Sequence, residues 1–229
     1  MLAALKGELI ASVQALPHEP LFGSETIVKM AAAVLEGGAK ALRIQSMDDI
    51  KAVKQAFPAV PVIGLIKLDY SDSEIFITPT SKEVKEVIDA GADMIALDMT
   101  GRIRPCGETI EYLIGQIRRY SCTIMADIAT FEQGVEAETL GVDCVSTTLS
   151  GYTTDTTHSG DAPDFALIRR LSQALTIPVI AEGRVSTPNH VSQAIAAGAW
   201  TVVVGSAITR PQLITQKFVS AIHAEKELV

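Results

Sequence analysis

Aromatic side chains are scarce in this sequence: Phe, Trp and Tyr make up 5% of 229 residues, with a single Trp. Any core must therefore be aliphatic, and the runs rich in Ala, Val and Ile suit strands buried on both faces. Cysteine is scarce too. The three thiols, Cys106, Cys122 and Cys144, are odd in number and lack Cys-x-x-Cys spacing. That argues against a disulfide framework or a cysteine zinc site and for reduced thiols in a cytosolic protein. No apolar stretch reaches the roughly 18 residues of a membrane helix. The opening "MLAALKGELI" has neither the apolar core nor the cleavage site of a signal peptide, so a cytoplasmic location is expected. Positive charge is in deficit, with 19 Lys and Arg against 27 Asp and Glu and a formal net charge of −8. Such a field disfavours nucleic acid and anionic membranes as partners, so a phosphate ligand needs a local site.

What is present is a beat. Apolar runs recur at 8–14, 39–45, 61–67, 93–100, 123–129, 144–150, 178–184 and 201–209. Segments of helical period lie between them at 25–36, 46–56, 81–90, 108–119, 131–140, 164–174 and 188–197, and a last one at 211–227 follows the eighth run. Alternating strands and helices predict parallel pairing with right-handed crossovers. Eight such units predict an α/β fold of the (β/α)8 TIM barrel type, one domain over 1–229. "GGAK", "AGAD", "LGVD" and "AGAW" precede the even-numbered runs, and Gly38, Gly91, Gly141 and Gly198 read as left-handed helix stops. An open doubly wound sheet is the competing fold, but it wants a glycine-rich dinucleotide loop after the first strand, and "SVQALPHEP" has none.

In a barrel of this kind the active site gathers at the C-terminal ends of the strands. Read at that edge, the runs offer Gln14, Arg43, Lys67, Asp98 with Arg102 and Arg104, Asp127, then Ser150-Gly151-Tyr152, Glu182-Gly183-Arg184, and Gly205-Ser206 with Arg210 nearby. The opposite ends are mostly bland. Gly183 permits close approach of backbone to a ligand. In "VSTP", Thr187 reads as a helix N-cap with Pro188 in the first turn. The loops after strands seven and eight, with Gly183, Arg184, Gly205 and Ser206, predict a phosphate site, with Arg210 adding a charge-assisted bond.

Lys67 and Glu182 belong to strands three and seven, which face each other across a barrel mouth. A base on one face of a carbon acid and an acid on the other suit epimerisation. Arg43 next to Lys67 would lower the lysine pKa and stabilise developing negative charge. Asp127 would orient a substrate hydroxyl or the lysine. Three other readings stay open: a structural Lys–Glu ion pair, a Schiff-base aldolase using Lys67, and a non-catalytic sugar-phosphate-binding barrel. No metal is expected, because His18, His158, His190 and His223 all lie away from the strand ends.

The stretches "IGLIK", "DSEIFITPT", "MIALDMT", "CVSTTLSGYT", "VIAEGR" and "VVVGSAITRP" resemble the N-acetylmannosamine-6-phosphate 2-epimerases of bacterial sialic acid catabolism. The resemblance runs from about Gly7 to Lys217. It implies inversion at C2 between N-acetyl-D-mannosamine 6-phosphate and N-acetyl-D-glucosamine 6-phosphate, no cofactor, and a homodimer. It also implies Lys67 and Glu182 as the catalytic pair, Gln14, Arg43 and Asp127 as substrate contacts, and Arg210 in the phosphate loop. The chain departs from the family pattern at Val13, Leu68 and Ala129, where the family commonly has Cys, Arg and Ser.

Overall fold

Strand and helix alternate through the computed structural model, which describes residues 1–156 and 160–226. The strands are β1 (Leu9–Val13), β2 (Ala41–Gln45), β3 (Val62–Leu65), β4 (Met94–Asp98), β5 (Thr123–Asp127), β6 (Cys144–Ser146), β7 (Val179–Ala181) and β8 (Thr201–Val204). They pair in sequence order, all parallel, and β8 closes on β1 through Leu9↔Val202, Ile10↔Val203 and Ala11↔Val204. The helices are α1 (Ser24–Glu36), α2 (Met47–Ala56), α3 (Ser81–Asp89), α4 (Ile110–Arg118), α5 (Phe131–Thr139), α6 (Phe165–Ala174), α7 (Pro188–Ala196), α8 (Ser206–Thr209) and α9 (Pro211–Lys226). The result is the expected closed eight-stranded TIM barrel.

The period-2 alternation of each strand sorts its side chains into two layers. Ile10, Ala41, Ile63, Met94, Met125, Cys144, Ile180 and Val203 fill the barrel interior, and Leu5 of a short N-terminal 3-10 turn joins them. Val13, Leu42, Ile44, Ile95, Leu97, Ile124 and Val145 face the helices. The helix layer comes close to the strands. A Cβ on Gly64 of β3 would stand 2.7 Å from both the Ala92 Cβ and the Val87 Cγ1. The helix ends follow local chemistry: Thr80 and Thr130 form capping boxes with Glu83 and Gln133, and Thr187 caps α7 ahead of Pro188. Gly38, Gly91, Gly141 and Gly198 take φ of +105°, +87°, +79° and +103°, the left-handed stop that these positions require.

Several apolar runs overstate their strands. The run at 144–150 stops pairing at Ser146, and Thr147–Leu149 turn as a 3-10 helix. The run at 201–209 ends at Val204 and becomes α8. Lys67 lies beyond the end of β3, where β3 and β4 have splayed after pairing only Ile63↔Met94 and Gly64↔Ile95. The gap is filled by the loop itself. Ile77 pairs antiparallel with Lys67, Thr78 donates its N–H to the Ile66 carbonyl at 2.7 Å, and Asp98 donates to the Ile77 carbonyl at 3.2 Å. Backbone groups at splayed strand ends need partners, and this wedge supplies them.

Candidate active site

The C-terminal mouth of the barrel opens into a cavity of about 840 Å³. Its wall includes Gln14, Arg43, Lys67, Glu182, Gly183, Arg184, Gly205, Ser206 and Arg210. Asp127 is fully buried beneath that wall and meets the cavity through Arg43 and Thr148.

Inward register on β2 and β5 brings Arg43 and Asp127 together at the centre. The Arg43 guanidinium donates from Nη2 to Asp127 Oδ2 at 2.5 Å and from Nη1 to Asp127 Oδ1 at 3.1 Å. The same Nη1 stands 3.1 Å from Glu182 Oε2. Burial opposes the Arg43 charge, but Asp127 and then Glu182 outweigh it and raise its pKa. Arg43 is 1% exposed, so it serves as a buried counter-charge shared by two carboxylates. Burial pushes the Glu182 carboxyl up; Arg43 pulls it back, and Asp127 adds to the rise. On Lys67 the directions reverse. Solvent reaches its side chain through the open mouth, yet crowding by protein atoms and then the Arg43 charge lower its pKa, against a smaller opposing pull from Glu182. A carboxyl pushed towards the acid form and an amine pushed towards the free base therefore share one cavity.

Across the mouth, the loops after β7 and β8 contribute Gly183, with φ of +101°, and Gly205. Arg184 adopts φ of +54°, donates from Nε to the Ala162 carbonyl at 3.0 Å, and stacks 5.1 Å over the Tyr152 ring. Arg210 is held by Glu19, with Nη2 donating to Oε2 at 2.9 Å, and Nη1 reaches Ser206 Oγ at 3.4 Å. Gln14 donates to Ser12 Oγ at 2.9 Å.

The charges after β4 do not join this cavity. Arg102 pairs with the Asp98 carboxylate at 2.7 Å, and Arg104 donates to the Pro79 and Asp98 carbonyls. With Ile75 and Glu108 they line a separate cleft of about 330 Å³. The wedge at Ile77, which faces Lys67 across the antiparallel bridge and accepts from the Asp98 N–H, stands between the two. Among the described residues no His, Cys, Asp and Glu side chains gather as a metal-ligand set; His158 lies outside the described residues.

Sequence reasoning missed four residues of the mouth. Gln45 accepts the Lys67 backbone N–H at 3.2 Å, and Glu19 orients Arg210. Ser146 and Thr148 stand between Asp127 and Glu182, with the Thr148 hydroxyl donating to Asp127 Oδ1 at 2.7 Å. The alternate polar positions 146 and 148, following the buried Cys144 in the same run, are the signal the sequence offers for them.

A family described as "Putative N-acetylmannosamine-6-phosphate epimerase" matches residues 27–224. A protein from Enterobacter sp. (strain 638) is 52% identical over 98% of this chain and 96% of its own length. One from Clostridioides difficile (strain 630) is 50% identical over 97% and 99%. Both bear the name "Putative N-acetylmannosamine-6-phosphate 2-epimerase". The solved structure of the N-acetylmannosamine-6-phosphate 2-epimerase from Clostridium perfringens superposes with a TM-score of 0.94 at 48% identity, covering 96% of each chain.

Proposed function

The chain belongs to the N-acetylmannosamine-6-phosphate epimerase family, and from that we propose that Lys67 and Glu182 invert C2 of its substrate as a two-base pair. The enzyme is an isomerase that interconverts N-acetyl-D-mannosamine 6-phosphate and N-acetyl-D-glucosamine 6-phosphate. In the open-chain sugar the C1 aldehyde makes the C2 proton acidic. Lys67, as the free amine, takes that proton, and the electron pair moves to the carbonyl oxygen as an enolate. Glu182, as the acid, returns a proton to C2 from the other face while the carbonyl re-forms. In the reverse direction the ionised Glu182 is the base and the Lys67 ammonium the acid.

The observation that carries this reading is the placement of these two groups on one cavity, from opposed sides of the barrel, with pKa values driven towards each other. Arg43 supports the enolate through its field rather than as a free donor, since its terminal nitrogens are bound to Asp127 and Glu182. Gly183, Arg184, Gly205, Ser206 and Arg210 receive the phosphate, and Gln14 contacts the sugar. Proton NMR of N-acetylmannosamine 6-phosphate with the enzyme in deuterated water tests the reading. The product should carry solvent deuterium at C2, and Lys67→Ala should abolish both product and exchange. Glu182→Gln should stop inversion while the starting sugar still exchanges its C2 proton. Normal inversion in Glu182→Gln would favour a single base with a proton relayed by the substrate.

The protein acts as a homodimer in this reading. Phe218, Val219 and Ile222 on α9 are 70%, 44% and 59% exposed, an apolar surface that a second copy would cover. Light scattering should return twice the chain mass. A cytoplasmic setting fits the three free thiols, and among the described residues no helix is long and apolar enough to cross a membrane.

A further inference from the structure

We propose that Thr148 is a positioning residue for the proton transfers: it accepts the Ser146 hydroxyl hydrogen until Glu182 is ionised and draws that hydrogen to itself, while anchoring Asp127 beneath Arg43. The inference rests on reading Lys67 and Glu182 as the proton-transfer pair.

The geometry is a chain of four groups. Thr148 donates to Asp127 Oδ1 at 2.7 Å. Its one hydrogen is thereby spent, so in the 2.8 Å contact between Ser146 Oγ and Thr148 Oγ1 the donor is Ser146. Ser146 also points at Glu182 Oε2, at 3.4 Å. A serine hydroxyl has one hydrogen and here two acceptors. While Glu182 holds its proton, the Ser146 hydrogen rests on Thr148. Once Glu182 has delivered the proton to C2, the new carboxylate is the stronger acceptor and draws the hydrogen across. The hydroxyl pair thus favours the ionised state of Glu182 without weakening the acid before transfer. Charge-assisted bonds are the stronger ones, which gives the switch its direction.

Thr148 is suited to this place. It lies in the 3-10 turn directly after β6 and lines the cavity. The Thr147 hydroxyl ties the same turn to β7 by donating to the Glu182 carbonyl at 2.9 Å. The charged groups facing Glu182 are Arg43 from β2, Asp127 from β5 and Lys67 beyond β3, and the Cys144 thiol of β6, pushed well up by burial, stays neutral. None of these can take over a neutral donor that follows the state of Glu182.

The test is the pH dependence of kcat and kcat/KM in Thr148→Val, which keeps shape and removes the hydroxyl. We expect kcat to fall about tenfold with KM within about twofold of the parent. The acid limb of kcat/KM should move down by about 0.5–1 pH unit, because Ser146 is left with Glu182 as its one acceptor and its hydrogen supports the carboxylate without first leaving Thr148. Thr148→Ser should restore both. An unmoved acid limb in Thr148→Val, or a Thr148→Ser variant as impaired as Thr148→Val, overturns the proposal. If Thr148→Val does not fold, Ser146→Ala tests the same hydroxyl pair from the other side: the limb should move up, because ionised Glu182 loses its donor, and an unmoved limb overturns the proposal. Deuterium exchange at C2 by Glu182→Gln separates this from failure of the underlying reading. If Glu182→Gln still inverts C2, or no longer exchanges the C2 proton of the starting sugar, the pair assignment itself fails. If it exchanges without inverting but Thr148→Val leaves the acid limb of the parent reaction unmoved, the pair stands and the role of Thr148 falls.

Discussion

Lys67 and Glu182 differ from ordinary lysine and glutamate in what surrounds them. In either direction of the reaction the pair carries one proton between its two members, so kcat/KM should be bell-shaped for both sugars. Glu182 is raised and Lys67 lowered. The acid limb should therefore lie above the ordinary carboxylate value, and the alkaline limb below that of ordinary lysine. Limbs at unperturbed positions would contradict the environments described here. Arg43 and Asp127 predict a different phenotype, in stability. Both are buried, and each is the other's closest counter-charge. Asp127→Ala leaves the buried guanidinium with Glu182 as its remaining carboxylate and should cost about 3 kcal/mol in urea unfolding. Lys67→Ala, open to solvent and outside the ladder's side-chain packing, should leave the unfolding midpoint nearly unchanged while removing activity.

At the scale of elements, the reach of Lys67 depends on how β3 ends. Gly64 allows α2 and α3 to press against the strand, since an added Cβ would meet Ala92, Val87 and, at 2.9 Å, Ile50 Cδ1. Gly64→Ala should destabilise by about 1–3 kcal/mol through overpacking. It should also depress kcat, because displacing β3 moves Lys67, three residues on, within the cavity. A variant with full stability and full kcat would show that the layers yield without effect. The wedge after β3 was not legible from the chain. "DSEIFITPT" has no helical period and no turn signature that announces an antiparallel bridge at Ile77. The helix caps were more legible: the Thr187-Pro188 start and the glycine stops are decided within a few residues, where local sterics act alone.

The whole molecule closes at both ends of its chain. β8 pairs with β1, Trp200 Nε1 donates to the Leu2 carbonyl at 2.8 Å, and Lys6 lies 4.6 Å over the Trp200 ring. Leu5, 1% exposed, seals the barrel interior. Leu5→Ala should cost about 2–5 kcal/mol as a core truncation yet leave kcat and KM of the folded enzyme unchanged, since Leu5 enters before β1, at the strand ends remote from the catalytic mouth. Denaturant titration and steady-state kinetics on the same preparation check both halves.

The chain by itself determined the barrel. Eight apolar runs alternating with amphipathic segments leave parallel pairing with crossovers as the arrangement that buries every strand on both faces. The strand-end pattern then singled out Lys67, Glu182 and the loops after β7 and β8, because period-2 alternation and fold topology together say where a strand-end residue lies. Only the tertiary structure decided which of those residues share a cavity. It sent Asp98, Arg102 and Arg104 to a cleft of their own, because a loop fills the gap between β3 and β4. It put Asp127 behind Arg43, and set Ser146 and Thr148 between the two carboxylates. The contacts of Thr148 with Asp127 and of Arg43 with Glu182 join residues 21 and 139 positions apart in the chain, which no local pattern encodes.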